Sequence, residues 1–450
     1  MTPTQTLAQF VVTHRETDLP EPVKREATRS LLNWVGCAVG GSRHDTVERA
    51  LTALGPFSGP RVATVLGRVE RLDIMLAALM NGITSHTFDF DDTHLRTVIH
   101  PSGPVASAIL AVAETRRVTG AEFLHAFVLG VEVSCRIGNA VYPSHYDVGW
   151  HITGTTGVFG AAAATGRLLE LDERQMTWAL GLAATQASGL REMFGTMCKP
   201  FHPGNAARNG MLSALLARSN FTSSTQGIEA PRGFANVLAT SCRYEEITEN
   251  LGGTWEVLAN TYKPFACGIV THPTIDGCIQ LRNEVGLQAD AIARVELDVH
   301  PLVLELTGNK TPGTGLEAKF SVYHSAAVAI IDGAAGQRQY SDDRVRDPHV
   351  IRLRDSVSAR AGAGLHEDQA RITIRLHDGT VFETFVEHAV GSQARPMSDA
   401  ALEVKFRGLT GGVLSNAETD RLIEQCWNIG KAPDVADVAR AAVPAAPVGA

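Results

Sequence analysis

Residues 153–169 read TGTTGVFGAAAATGRLL, and 12 of these 17 positions are glycine, alanine or threonine. A helix built from these residues has no bulky face, so neighbouring backbones can approach it closely and bury it nearly all round. That places it inside a helical bundle. Helical spacing continues on both sides, over 4–16, 21–40, 45–54, 71–86, 104–117, 120–142, 172–190, 205–219 and, briefly, 245–251. In the second of these, Val23, Ala27, Leu31, Trp34, Val35 and Ala38 recur at helical intervals, Pro20 and Pro22 mark the start, and Gly40-Gly41 marks the stop. Residues 61–66 form a short apolar run, a loop or a strand. No repeat of the solenoid kind is present.

Near Tyr262 the pattern changes. A helix is expected over 273–286, a strand over 293–306, a helix over 320–332 and a short helix over 347–357. Residues 370–388 (ARITIRLHDGTVFETFVEH) hold two alternating runs joined through Asp378-Gly379, the signature of a hairpin. From Ser398 helical spacing returns, and the Ala/Pro-rich tail VARAAVPAAPVGA reads as frayed. The expected fold is mainly α: a large all-helical domain, residues 1–262 and 397–450, with an inserted smaller α+β lid domain, residues 263–396. A chain of 450 residues, 44% of them hydrophobic, can support two such cores.

Composition excludes several classes. Forty basic and 48 acidic residues give a net charge of −8 with no basic stripe, so a nucleic-acid partner is not expected. No charge-free apolar run reaches membrane-spanning length, and the N-terminus lacks the pattern of a signal peptide. The 7 cysteines are scattered without a Cys-x-x-Cys pair, which argues against zinc ribbons, iron–sulfur clusters and a disulfide framework. A cytoplasmic protein is the expectation.

Polar residues collect in five islands: Asp89–His100, His145–His151, Lys199–His202, Lys263–His272 and Lys319–His324. With His86 they hold eight of the 16 histidines. The stretch His86–Ser102 (HTFDFDDTHLRTVIHPS) is the densest. Lys199 and His202 precede Gly204-Asn205-Ala206, where a helix N-terminus would offer free N–H groups to a carboxylate. Lys263 falls at the inferred domain junction, where it could hold a carboxylate or, if desolvated, act as a base. His100 and His151 each adjoin a helix start and suit acid or base work near neutral pH. Tyr323 opens an apolar helix and reads as core on its surroundings alone. Asp89, Asp91, Asp92, His94 and His100 could in principle ligate a metal, but neither an EF-hand loop nor an HExxH helix is present, and no metal is expected. Gly154–Gly160 lacks dinucleotide-binding spacing. Two lysines, two histidines and an acidic loop suit chemistry on a polycarboxylate, with cations holding its carboxylates and a base taking an acidic α-proton.

At these islands the sequence resembles the MmgE/PrpD family. The matching stretches are DFDDTH…HPS (89–102), HYDVGWH (145–151), KPFHPGNAARNG (199–210), KPFACGIVTHPTID (263–276), EAKFSVYHSAAVAIIDG (317–333) and PMSDAALEVKF (396–406), in order along nearly the whole chain. Activities in that family include dehydration of 2-methylcitrate, decarboxylation of cis-aconitate and epimerisation of iminodisuccinate. The resemblance implies an all-helical domain built from both chain ends, an inserted lid, a homodimer, and no metal or organic cofactor. It places catalytic or binding positions at Asp89, Thr93, His100, His151, Lys199, Lys263 and Tyr323, and its epimerase branch adds Tyr146. Between Thr93 and His100 the segment HLRTVI is one residue longer than in the decarboxylase branch and carries Arg96.

The expected activity is therefore that of a cofactor-independent lyase on a small di- or tricarboxylate, dehydratase-like, with decarboxylation or epimerisation as alternatives. Lys199, with Lys263 or Arg96 and His202, would clamp carboxylates. His151, Lys263 or Tyr146 would remove the α-proton, and His100, oriented by Asp89, would return one. A carboxylate-binding protein without catalysis is the alternative of another class.

Overall fold

The computed structural model describes residues 1–445; the last five residues of the tail expected to fray lie outside the described residues. Of that tail, residues 438–441 belong to a helix, Ala436–Ala441, with Ala436, Val438 and Ala439 buried, and 442–445 follow it without regular structure.

Helices dominate. Ile152–Leu168, the small-residue segment, is buried along almost its entire length and packs against Gly120–Val141 and Cys198–Arg218. Cys198–Arg218 packs in turn on Ile74–His86. Their crossing requires glycine: a Cβ on Gly82 would sit 2.4 Å from the Cα of Gly204. Two hydrophobic cores result. One gathers residues from Leu7 to Tyr262 and again from Met397 to Ala442. The other gathers Phe265 to Ala389, joined by Cys37, Phe90 and Leu409 at the seam.

The second core is built on a four-stranded sheet in the order Val357–Ala361, Ile292–Val299, Ala370–Leu376, Val381–Val386. The first pair is parallel and the others antiparallel. The hairpin turns at Gly379, whose φ of 88° suits a residue without a Cβ. Helices His272–Val285 and Val322–Asp332 cover the sheet.

Several boundaries differ from the sequence expectation. The strand expected over 293–306 ends at Val299, and Pro301 at the first helical position starts a helix, Pro301–Thr307. The helix expected over 347–357 stops at Asp355 and an edge strand follows, too short and too polar to show periodicity. The helix expected over 172–190 ends at Ala184. The helix expected from 205 begins at Cys198, because Pro200 lies in the first turn where its missing N–H costs no bond. Gly204-Asn205-Ala206 is thus helix interior, and the anion site expected at a helix N-terminus there does not exist.

Candidate active site

The acidic stretch begins where helix Ile74–His86 ends. The Asp89 N–H donates to the His86 carbonyl (2.9 Å), and Asp89 adopts a left-handed backbone, φ 51°. Four residues on, Thr93–His94 pairs with Asn260–Thr261 as a two-residue antiparallel ladder. That ladder draws together segments far apart in sequence and places Lys263 beside Asp89.

Asp89 Oδ1 accepts from Lys263 Nζ at 2.7 Å and lies 2.9 Å from Lys199 Nζ. Lys263 also donates to the Asp89 carbonyl (3.0 Å). All three side chains are almost wholly buried. Burial alone would raise the Asp89 pKa, but Lys199 and then Lys263 overcome it and hold the carboxyl well below its usual range. Burial pulls the Lys199 pKa down, with Asp89 opposing. Lys199 also lies over the rings of Phe194 and Phe320, at 5.1 and 5.0 Å from their centroids.

Across from the lysines stand the histidines. His100 Nδ1 donates to the Asp92 carbonyl (2.7 Å), with Thr93 Oγ1 at 3.2 Å. A carbonyl only accepts, so Nδ1 carries the hydrogen and Nε2 of the neutral ring carries the lone pair. Burial pushes the His100 pKa down to about 3. His151 is likewise held neutral, by burial and then by His202, whose Nδ1 lies 2.8 Å from its own. Both rings are therefore neutral in the free chain, so the role of proton donor expected of His100 requires that the ring first receive a proton. His100 is oriented by Asp92 and Thr93, not by Asp89.

Asp89, His100, Tyr146, His151, Lys199 and Lys263 line one small cavity, closed by Val98, Phe194, Ile269, Val270 and Phe320. Residues of both cores form its walls. Val98, like Asp89, has a left-handed backbone, φ 54°, unusual for a β-branched residue and a sign of local strain. Burial raises the Tyr146 pKa above its ordinary value, so the phenol stays protonated at neutral pH. The Arg191 guanidinium covers that ring at 4.1 Å and donates to the Tyr146 carbonyl.

Models of the MmgE/PrpD N-terminal domain and C-terminal domain match residues 5–247 and 265–429. The chain belongs to the MmgE/PrpD family. Among its relatives, a cis-aconitate decarboxylase of Aspergillus terreus is 26% identical over 450 residues, covering 93% of this chain and 91% of the relative. The cis-aconitate decarboxylases of Mus musculus and Homo sapiens are each 26% identical, covering 93% and 91% of this chain and 89% and 88% of their own lengths. The match thus runs along nearly the whole of this chain and of each relative.

Not every residue singled out in the sequence reaches the cavity of this family member. Arg96 is half exposed and pairs with Glu246 (3.1 Å) and Glu256 (3.4 Å), so its charge is already engaged away from the site. His94 is buried between Glu256 and Thr97. His202 stands behind His151, and Thr93 behind His100. Tyr323 packs in the second core, with the Lys310 ammonium 5.5 Å from its ring centroid. Three of these, Arg96, His202 and Tyr323, were expected to bind substrate and do not line the cavity.

Other residues escaped sequence reasoning. His86, given no role of its own in the sequence, is fully buried and holds Asp91 through Nδ1 (2.8 Å). Its ring centroid lies 4.8 Å from that of His100. Asp91 is held below its normal pKa because His86 and His100 outweigh the burial that would raise it. Asp92, accepting from Ser102 and Asn260, is instead pushed up to about 7 by burial and by Asp91. Ligand atoms of His86, Asp89 and His100 lie within 4.8 Å of one another, a spacing open to a metal. The two ammonium groups on Asp89 Oδ1 already neutralise that carboxylate, and a divalent ion beside them would meet strong repulsion.

Proposed function

We propose that the chain is a cofactor-independent lyase acting on a small di- or tricarboxylate, and that it removes a proton α to a carboxylate as its first step. One observation carries the reading: two buried ammonium groups sharing Asp89 face two neutral imidazoles across a single small cavity. The lysines hold a substrate carboxylate and stabilise the negative charge that develops as the α-proton leaves. His100, fixed with its Nδ1 as donor, receives that proton at Nε2, or His151 does. The negative substrate raises the proton affinity of either ring once bound. Tyr146, protonated, is the donor for a departing hydroxyl, which leaves as water. Base and donor are both needed for water loss, and this favours dehydration.

A second reading has its own support. The relatives named above are cis-aconitate decarboxylases. Loss of carbon dioxide needs no base, only a donor to protonate the resulting carbanion, and the same cavity offers one. Turnover assays on 2-methylcitrate, citrate and cis-aconitate, read for both water loss and carbon dioxide release, separate the two. Deuterium incorporation from heavy water into unreacted substrate tests the α-proton abstraction of the first reading. Absence of exchange and turnover on all three, together with identical behaviour of His100→Ala, overturns the proposal.

The same proposal includes a division of labour between residues 1–262 with 397–450 and the lid 263–396, supported by the two separate cores meeting at the cavity. It also includes a homodimer, which sedimentation velocity tests, and a cytoplasmic location, supported by seven unpaired cysteines and tested by fractionation. No helix among the described residues is long and apolar enough to cross a membrane.

A further inference from the structure

Two buried lysines outside the cavity bracket its central ion pair. Lys319 Nζ donates to the carbonyls of Phe88 (2.8 Å) and Ala266 (2.6 Å) and to Gln337 Oε1 (3.0 Å). Lys405 Nζ donates to the carbonyls of Phe90 (2.6 Å) and Lys263 (2.9 Å) and to Asn33 Oδ1 (2.7 Å). One lysine therefore grips the residue before Asp89 and the other the residue after it. Each also reaches across to the segment 263–266 that carries Lys263. Their charges sit near aromatic faces as well, Lys405 at 4.1 Å from the Phe90 centroid and Lys319 at 4.9 Å from that of Tyr340.

Three acceptors around each nitrogen call for three hydrogens, and only the ammonium has three. A buried ammonium is an expensive way to stabilise a fold, because apolar residues of similar volume serve as well or better. Two of them, arriving from different parts of the chain, converge on the same pair of backbone segments. Lys319 follows helix Gly315–Ala318 of the second core, and Lys405 lies on Asp399–Thr410, which returns to the first. Between the two gripped carbonyls, Asp89 holds its left-handed backbone, a conformation that persists only where the surroundings enforce it.

We propose that Lys319 and Lys405 are positioning residues: they fix the backbone at 88–90 against 263–266 so that Asp89 Oδ1 meets Lys199 and Lys263 together. They touch no substrate and act through Asp89. The catalytic consequence rests on the lyase reading; the geometric one does not.

Crystal structures of Lys319→Met and Lys405→Met provide the primary test, independent of any activity. The expected result is an Asp89 carboxylate displaced from Lys199 or Lys263 in a chain whose helices otherwise superpose. An Asp89 that keeps both contacts in both variants overturns the proposal. If either variant fails to fold, Asn33→Ala and Gln337→Ala, which each remove one acceptor and keep the ammonium, are to move Asp89 in the same sense, and an unmoved Asp89 again overturns it. On whichever substrate the wild type turns over, kcat is to fall roughly 100-fold for each lysine variant, with KM changing far less. Adding Lys405→Met to Asp89→Asn is to cost nothing more, whereas independent losses that multiply would assign the lysines to stability alone. Binding of tricarballylate, a saturated tricarboxylate, to the wild type by calorimetry tests the carboxylate site separately. Failure there with displaced Asp89 in the variants removes the lyase reading and leaves the positioning role standing.

Discussion

The Nδ1 atoms of His151 and His202 lie 2.8 Å apart, so one ring donates its hydrogen and the other presents its lone pair. His151 faces the cavity and His202 stands behind it, with Gly189 closing over the His202 ring. This contact fixes the hydrogen positions of His151, and with them what that ring offers a substrate. His202→Ala is expected to lower kcat by about 10-fold or more, the size of loss seen when a metal-bound histidine loses its orienting partner, with KM little changed. Steady-state kinetics check it; a KM effect with unchanged kcat would return His202 to the substrate-binding role expected from sequence.

Asp89 neutralises Lys199 and Lys263 inside the protein. Asp89→Asn leaves two ammonium groups facing each other without an anion, and breaking a buried pair in this way costs about 3–5 kcal/mol. Denaturant unfolding of the variant should show that loss. Because a bound polycarboxylate supplies the missing charge, adding tricarballylate should restore more stability to Asp89→Asn than to the wild type. Equal restoration in both would show that the ligand does not contact these lysines.

Acid should unfold the chain early. His100, His125 and His272 are pushed down to about 3, and His145, His202 and His324 to about 4, in each case first by burial. Unfolded histidines titrate near ~6.5. Between those values the unfolded chain binds more protons, so stability rises with pH and is lost as pH falls from about 6.5 toward 4. Each histidine contributes roughly 1.4 kcal/mol per pH unit over that window. Asp92 and Glu132, both raised to about 7 first by burial, act in the opposite sense and are outnumbered. Circular dichroism against pH should show the transition complete above about pH 4, and a native spectrum at that pH would contradict it.

The helices bearing His86 and Lys199 meet at Gly82 and Gly204. A Cβ on Gly204 would lie 2.3 Å from the Leu79 carbonyl, against backbone that cannot yield cheaply. Gly204→Ala should destabilise by about 1–3 kcal/mol or more and reduce turnover by shifting Lys199. Thermal melting and activity should fall together.

Arg96 makes partly exposed ion pairs with Glu246 and Glu256. Arg96→Ala should cost less than about 1 kcal/mol of stability and leave kcat/KM for every tested carboxylate unchanged. A selective loss for one substrate would restore the role in substrate choice suggested by the longer loop.

Much of this was written in local sequence. Apolar spacing marked the buried helices, small residues marked the central one, and Asp378-Gly379 marked the hairpin, because each depends on neighbours a few positions away. Polar residues set among apolar ones also flagged Asp89, His100, His151, Lys199 and Lys263 without any coordinates. Tertiary structure decided the rest. Arg96 and His94 are as conspicuous in sequence as His100, yet Glu256, 160 residues further on in the fold's first part, draws both away. Lys405 falls within the helical spacing that returns at Ser398, and only the packing of that helix places its nitrogen on the carbonyls of Phe90 and Lys263. Protonation followed the same rule: Asp91 and Asp92 are adjacent and chemically identical, and one is held ionised by His86 while the other is pushed up to about 7. A residue's type and spacing are local properties, whereas its burial and its charged neighbours are set by segments that only the fold brings together.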